Sequence, residues 1–267
     1  MEVMRRAMVL VGLLAACDRK ATTPPPASTS NVAPRGFAIP KQTKQLVTAI
    51  VEDWTSTHAQ LALWQRTPNG WQAVEQWPAV IGSGGSAWGI GVYPAGRSES
   101  APLHLGPNGE GPIKKEDDLK SPAGVFAFRT VYGYADEAPK PWRMPYESAV
   151  DLECVDDPAS DHYTQIVDRK QVPSDWQSAE QMRRDDNLYE WVLDTAHNPD
   201  AKPSGGSCIF LHVWSGPEST TIGCTAMAKS KLEALLAKLD PAAQPLYVLL
   251  PRAEYQRVAT AWGLPAQ

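Results

Sequence analysis

The sequence has few residues that bind metal ions, and none of them has the spacing of a metal site. The 267-residue chain contains 4 Cys and 5 His. Neither a Cys-x-x-Cys nor a His-x-x-x-His pattern occurs. Zinc sites commonly take their ligands in such closely spaced pairs. We therefore expect no metal site.

The chain also lacks a basic run. Its formal net charge is −5 at pH 7, and no cluster of Lys and Arg is present that would neutralise a phosphate backbone. We therefore expect no nucleic-acid partner. Hydrophobic residues make up 43% and charged residues 21% of the chain, which is typical of a globular protein that buries a core. The length suits one sizeable folded domain.

A long apolar run is absent from the start of the chain, where residues 7–16 (AMVLVGLLAA) are too few to span a membrane as a helix. Arg5 and Arg6 precede this run, and small residues lead directly into Cys17. This order is typical of a bacterial lipoprotein signal with a lipobox. We expect residues 1–17 to be that signal peptide, Cys17 to be lipidated and the protein to face the periplasm of the cell envelope. An ordinary signal peptide is the alternative.

Residues 18–40 are rich in Pro, Ser, Thr and Ala, which predicts a flexible tether before a folded domain at residues 41–267. Apolar periodicity predicts helices over residues 41–54, 179–184, 229–239 and 254–262. Apolar and β-branched runs predict strands over residues 60–66, 71–81, 88–93, 125–132, 189–195, 208–214 and 246–250. Strands predominate without β-α-β alternation, so the expected fold is mainly β with helices at its margins.

The cysteines predict a free thiol. Lipidation of Cys17 leaves Cys154, Cys208 and Cys224 in an oxidising compartment. An odd number of cysteines there indicates a reactive thiol. The simplest partition pairs Cys154 with Cys208 and leaves Cys224 free, although other pairings stay open. Catalysis would explain why a free thiol persists outside the cytoplasm.

His212 lies twelve positions before Cys224, in the otherwise apolar run 209–214. If the turn-forming residues 215–221 reverse the chain, the imidazole can take the thiol proton and produce a nucleophilic thiolate. Gly223 permits close approach of the backbone, whose N–H groups can stabilise an oxyanion. A structural cysteine and a buried core histidine are the alternative interpretation.

This segment resembles the active-site region of the YkuD-type L,D-transpeptidases, in which a His and a variable loop precede Ser-His-Gly-Cys-Ile/Val-Arg. Residues 120–126 (KSPAGVF) resemble the family's upstream Thr/Ser-Pro-x-Gly-x-Phe element. Residues 154–163 (CVDDPASDHY) and 188–198 (LYEWVLDTAHN) look like stretches of one proteobacterial branch. The similarity covers roughly residues 61–250, in matching order.

The resemblance implies a β-rich catalytic domain that acts on peptidoglycan stem peptides without a metal or an organic cofactor. Cys224 would form a thioester with one stem peptide, and His212 would be the general base, oriented by the carbonyl of Val213. The N–H groups of Gly223 and Cys224 would bind the oxyanion. An amine of a second stem would then resolve the thioester into a cross-link. Hydrolysis instead would make the protein an L,D-carboxypeptidase. We expect a monomer attached to the membrane by its lipid.

The chain departs from the family pattern at two positions, because Ile222 replaces a His and Ala226 replaces an Arg. An anchored lipoprotein that binds peptidoglycan without turnover is therefore an alternative. The charged run at residues 114–118 is predicted to be a solvated loop. Asp157 and its neighbours also suit a capped turn. The expected substrate-binding residues are Asp156, Asp157, His162, Tyr163, His197 and Trp214.

Overall fold

The fold comes from a computed structural model that describes residues 37–92 and 111–267. The expected signal peptide with Cys17, residues 18–36 of the expected tether, and the end of the predicted strand 88–93 lie outside the described residues. No helix in the described ranges is long and apolar enough to cross a membrane.

The predicted mainly β fold is confirmed. The described strands are β1 (Gln45–Val51), β2 (His58–Thr67), β3 (Gly70–Val80), β4 (Ser86–Trp88), β5 (Ser121–Ala127), β6 (Val131–Gly133), β7 (Tyr146–Ser148), β8 (Leu152–Val155), β9 (Ile166–Asp168), β10 (Ala179–Gln181), β11 (Trp191–Asp194), β12 (Phe210–Val213), β13 (Thr225–Met227) and β14 (Leu246–Pro251). The helices are α1 (Lys229–Lys238) and α2 (Arg252–Trp262), with a short 3-10 turn at Pro241–Ala243.

Eleven of these strands form one mixed sheet, and three form a smaller one. The order in the large sheet is β4-β5-β14-β1-β2-β3-β13-β12-β11-β6-β7, and the order in the small sheet is β10-β8-β9. β1 is an interior strand of the large sheet, antiparallel to β2 and parallel to β14. Its seven residues are all buried.

The predicted helix over residues 41–54 is wrong, because its centre is strand β1. A strand that is covered on both faces needs apolar residues at consecutive positions, which imitates helical spacing over one turn or two. Val47, Ile50 and Val51 are β-branched and favour the strand. The predicted helix over residues 179–184 is also wrong, since β10 begins there and pairs with β8.

Most other predicted elements are present with shifted ends. The predicted strand 125–132 is interrupted between β5 and β6, and β4 ends at Trp88, where a strand was predicted to begin. Strands β7, β8, β9 and β13 have three or four residues each, which is too short to show an alternating pattern.

The folded domain includes residues that the sequence analysis assigns to the tether. The ring of Phe37 lies 5.1 Å from that of Trp262, and the Ile39 N–H donates to the Trp262 carbonyl at 2.8 Å. Ile39 is buried. These two apolar side chains are removed from water by packing against α2, so the folded domain begins on the N-terminal side of Lys41.

Candidate active site

Strand pairing brings the predicted histidine and cysteine to the same cleft. β12 and β13 are parallel neighbours, with Leu211 opposite Thr225 and His212 opposite Ala226. Cys224 directly precedes β13, and its sulfur accepts a hydrogen bond from the Phe210 N–H at 3.3 Å. His212 and Cys224 line one cavity. No hydrogen bond joins these two described side chains.

The loop that carries Cys224 is fastened through its carbonyl oxygen. The Thr221 hydroxyl donates to this oxygen at 2.7 Å, and the Ser121 hydroxyl on β5 donates to it at 2.9 Å. Ser121 also accepts from the Gly82 N–H at 3.0 Å. Ser121 belongs to the upstream element that resembles the transpeptidase family. In this structure that element holds the loop that carries Cys224.

Gly223 is required by the conformation of this loop. Its φ is +152°, and a Cβ added there would lie 3.2 Å from both Ile209 Cδ1 and the Lys120 carbonyl oxygen. The Gly223 N–H donates to Thr221 Oγ1 at 3.1 Å, so it is already engaged. No atom of the described residues accepts the Cys224 N–H, which leaves that group available to an oxyanion.

His212 is held in the tautomer that a general base needs. Its Nδ1 lies 2.8 Å from the Val213 carbonyl oxygen. A carbonyl only accepts, so Nδ1 carries the proton and Nε2 keeps its lone pair. Burial lowers the pKa of His212 to about 4, while the carbonyls of Val213 and Leu188 act in the opposite direction. The imidazole is therefore neutral at pH 7.

Cys224 is a free, buried thiol. Burial raises its pKa to about 12, and the Glu180 carboxylate acts in the same direction. The Phe210 N–H, Tyr189 and Lys114 oppose this rise. The sulfur lies 3.5 Å from the Cys208 carbonyl oxygen, which accepts from it. The thiol is therefore protonated at pH 7, and a base would have to remove its proton to give a thiolate.

Tyr189 connects the histidine to the acidic side of the cleft. Its ring meets the His212 ring edge-on, with centroids 5.0 Å apart, and its hydroxyl donates to Glu180 Oε2 at 2.7 Å. Burial raises the pKa of Tyr189 well above its usual value, so the phenol stays a neutral donor. Sequence reasoning placed Tyr189 within a family-like stretch but gave it no role.

Two cavities reach Cys224. The histidine cavity has a volume of about 280 Å³, and its lining includes Arg184, Leu188, Tyr189, His212 and Thr220. The acidic cavity has a volume of about 70 Å³, and its lining includes Lys114, Glu116, Asp117, Asp156 and Ser207. Glu180, Ile222 and Cys224 line both. Ile222 is 66% exposed.

Of the six predicted substrate-binding residues, Asp156 lines a cavity that contains Cys224. Tyr163 is buried behind that cavity and donates its hydroxyl to Glu116. Trp214 is half-buried after β12 and is absent from the lining of both cavities.

The other three predicted residues have structural contacts away from the thiol. Asp157 accepts from the N–H groups of Ala159 and Gln177 at 2.9 and 2.8 Å, as expected for a capped turn. The His162 ring packs against Trp176 with centroids 5.6 Å apart. His197 is buried, and its Nε2 lies 3.0 Å from the Gly205 carbonyl oxygen.

The charged run at residues 114–118 contributes to the cleft, and the predicted solvated loop is wrong for Lys114. This side chain is 3% exposed, and its Nζ lies 2.6 Å from Asp118 Oδ1. Glu116 and Glu180, neither of which was predicted, come from segments far from residues 212–224 in sequence. The described residues contain no group of three or more His, Cys, Asp and Glu that could hold a metal ion.

The cysteine pairing in the structure is the one that the simplest partition gives. Cys154 in β8 and Cys208 before β12 form a disulfide. The bond fastens the small sheet beside the strand that carries His212. Cys208 also lines the acidic cavity.

Comparison with known proteins identifies no family for this chain. No protein-family model matches the chain, and no curated protein matches it. The structure is weakly similar to that of Bd1075 from Bdellovibrio bacteriovorus, with a TM-score of 0.35 and 12% identity. The similarity covers 86% of this chain and 58% of that protein.

Proposed function

We propose that this protein is a peptidoglycan L,D-transpeptidase in which Cys224 is the nucleophile and His212 the general base. The observation that carries the proposal is a free thiol that shares a cavity with a neutral imidazole whose Nε2 keeps its lone pair. A cysteine acyltransferase needs this combination, because a neutral imidazole can accept the proton that a buried thiol must lose. The resemblance of residues 120–126 and 212–224 to the YkuD-type family supplies the substrate class.

The first half-reaction acylates the enzyme. The Cys224 side chain turns from the Phe210 N–H towards His212, and Nε2 takes the thiol proton. The thiolate attacks the carbonyl carbon of the stem peptide, and the Cys224 N–H stabilises the oxyanion. The C–N bond then breaks, the terminal amino acid leaves with the proton from His212, and a thioester remains.

The second half-reaction releases the enzyme. An amine from another stem attacks the thioester carbonyl and gives its proton to Nε2, and the C–S bond breaks. Cys224 recovers the proton, and a new amide joins the two stems. Water in place of the amine would give an L,D-carboxypeptidase. The exposed Ile222 and the small Ala226 stand where the family has an imidazole and a guanidinium, so the balance between transfer and hydrolysis is part of the test.

Acylation by a carbapenem tests the nucleophile, because its strained amide resembles an acyl donor. We expect the intact mass of the wild-type protein to rise by one carbapenem, and Cys224→Ala to stay unlabelled. His212→Asn should react at least about a hundredfold more slowly, the lower end of the range for loss of a general base. A wild-type protein that stays unlabelled would favour the binding lipoprotein.

Defined muropeptides test the reaction itself. We expect the wild-type protein to release the terminal amino acid of a tetrapeptide stem and to form a cross-linked product, as read from product masses. Release without a cross-link would identify a carboxypeptidase. Products that persist in Cys224→Ala would contradict the proposed nucleophile.

We also propose that the protein is a lipoprotein of the cell envelope, anchored through Cys17. The support is the basic, apolar and small-residue order of residues 5–17. We expect the full chain to fractionate with membranes and Cys17→Ser to be released into the soluble fraction. Equal membrane association of both would contradict the anchor.

A further inference from the structure

Two large apolar side chains are exposed at the cleft that contains Cys224. Ile222 is 66% exposed and Leu119 is 44% exposed, and both line the acidic cavity together with Cys224. Ile222 also lines the histidine cavity, so it borders both approaches to the thiol. Within the described residues, neither side chain belongs to a hydrophobic core cluster. Packing of the core therefore does not explain either of them.

The backbone of Leu119 is held in an unfavourable conformation. Its φ is +58°, in the left-handed region that a bulky side chain rarely adopts and that Gly or Asn adopts more easily. The carboxylate of Asp118 fixes this turn, because it accepts from the N–H groups of Lys115 and Lys120 at 2.8 and 2.9 Å. The Leu119 carbonyl accepts from the Gly84 N–H at 2.8 Å. A strained residue persists where its surroundings determine it, and such residues cluster at functional sites.

One short segment fixes the two side chains relative to each other. The Ser83 N–H donates to the Thr221 carbonyl at 2.8 Å, and the next N–H, that of Gly84, donates to the Leu119 carbonyl at 2.8 Å. Thr221 directly precedes Ile222. Residues 83 and 84 therefore join the backbone of Leu119 to the backbone that carries Ile222. The two apolar side chains are held in place beside the thiol.

We propose that Leu119 and Ile222 form an apolar rim that selects an amine over water as the acceptor of the acyl group on Cys224. The proposal rests on the proposed function, since it needs a thioester at Cys224. An acceptor amine carries its nitrogen on a carbon chain, which covers the exposed rim, whereas water gains nothing from that contact. The covered rim also keeps water away from the thioester. The amine then forms the new C–N bond, the C–S bond breaks, and the proton of the amine passes through His212 to the sulfur.

A small activated ester measures this choice of acceptor without a wall fragment. p-Nitrophenyl acetate acylates thiols and releases p-nitrophenolate, and its acetyl group is too small to cover the rim itself. The full chain is incubated with the ester and either leucinamide or serinamide. Product masses give the N-acetyl amide, and the remaining p-nitrophenolate measures hydrolysis. Both products come from one thioester, so their ratio does not depend on the rate of acylation. The reaction with Cys224→Ala is subtracted, and transfer to each amine is divided by its rate with the ester alone.

For the wild-type protein, we expect normalised transfer to leucinamide to exceed transfer to serinamide by at least about fourfold, the effect of about one buried methylene. Ile222→Thr keeps the branched Cβ, and Leu119→Asn suits the positive φ. Each should lower the ratio of transfer to hydrolysis with leucinamide by at least about fourfold. Val74→Thr is the matched control. Val74 is 47% exposed on β3 and is absent from the lining of both cavities, so this variant should keep the wild-type ratio.

Equal normalised transfer to the two amines would overturn the proposal, and so would failure of the ester to acylate Cys224. A ratio of transfer to hydrolysis that survives both rim substitutions would also refute it. The muropeptide experiment is independent of this readout. Rim-dependent transfer from the ester without any reaction on muropeptides would refute the proposed function alone. Cross-linking of muropeptides together with a ratio that does not depend on the rim would refute the apolar rim alone.

Discussion

At the residue scale, the candidate dyad rests as two neutral groups. Burial favours the neutral form of both partners, so it raises the pKa of the Cys224 thiol and lowers that of the His212 imidazole. A preformed thiolate–imidazolium pair would need the opposite shifts. The thiol is therefore a weak nucleophile as it stands, and it becomes reactive only when a base takes its proton.

The buried neutral histidine makes stability depend on pH. The pKa of His212 falls from 6.5 to about 4 on folding, so between these values the unfolded chain binds a proton that the folded chain excludes. The stability that comes from keeping His212 neutral is fully present above pH 6.5, and it is lost as the pH decreases towards 4. From pH 7.5 to 5, we expect the free energy of unfolding of wild type to fall by about 2 kcal/mol more than that of His212→Asn.

Urea denaturation of both proteins at the two pH values measures this difference. Asn keeps a donor for the Val213 carbonyl and does not titrate, so any constant loss of stability in the variant cancels in the comparison. Buried carboxyls with raised pKa values, such as those of Glu180 and Asp194, are common to both proteins. Equal losses in the two proteins would mean that His212 is protonated as readily in the folded chain as in the unfolded one.

At the element scale, the loop at residues 221–224 holds the Cys224 backbone in place through hydrogen bonds from Thr221 and Ser121. Its hydrogen bonds reach β5 through Ser121, and Gly223 faces the residue before β5 closely enough that an added Cβ would meet it. Gly223→Ala adds a methyl group 3.2 Å from Ile209 Cδ1 and from the Lys120 carbonyl oxygen, at a φ of +152°. We expect the free energy of unfolding to fall by roughly 2 to 4 kcal/mol, from backbone strain and overpacking together.

Gly216→Ala is the control for this substitution. Gly216 has nearly the same φ, +159°, and a Cβ there would meet no atom within 4 Å. Gly216→Ala should therefore lose stability through backbone strain alone, without overpacking. Carbapenem labelling of Cys224 in this variant should stay close to that of wild type. If both variants lose the same stability and label equally well, the loop does not hold the sulfur through close packing.

Elements with a strong pattern could be predicted from the sequence, and those fixed by distant neighbours could not. The long strands β2 and β3 alternate enough to be recognised, and α1 repeats leucines at helical spacing. β1 was assigned to a helix because burial on both faces removes the alternation that distinguishes a strand. The placement of β1 between β2 and β14 is what makes its residues a strand.

The candidate site divides in the same way. His212 and Cys224 belong to one local segment with a family-like motif, so both could be proposed as site residues from the sequence. Lys114 and Glu116 reach the cleft from a loop, and Glu180 reaches it from the short strand β10. No pattern within residues 114–118 or 179–184 distinguishes these side chains from solvated charges. Their role depends on contacts with Tyr163 and Tyr189, which only the tertiary fold supplies.

At the scale of the whole molecule, the disulfide joins the two sheets at the cleft. Cys154 lies in the small sheet and Cys208 lies just before β12, 54 positions later in the sequence. The carbonyl of Cys208 accepts from the Cys224 thiol at 3.5 Å, so the disulfide lies next to the candidate nucleophile. Loss of the disulfide should therefore affect both the stability of the fold and the shape of the acidic cavity.

Replacing both cysteines measures these two effects together. For Cys154→Ala/Cys208→Ala, we expect the free energy of unfolding to fall by about 4 kcal/mol, because a cross-link over a loop of this length restricts the unfolded chain by roughly that amount. Carbapenem labelling of Cys224 should slow at a temperature where the variant is still folded, because residues 208–210 are no longer fastened to β8. Reduced wild-type protein should reproduce both changes, and reduced Cys224→Ala should reproduce the loss of stability. Unchanged stability would show that the two sheets hold together by packing alone, and unchanged labelling would show that the cleft keeps its shape without the bond.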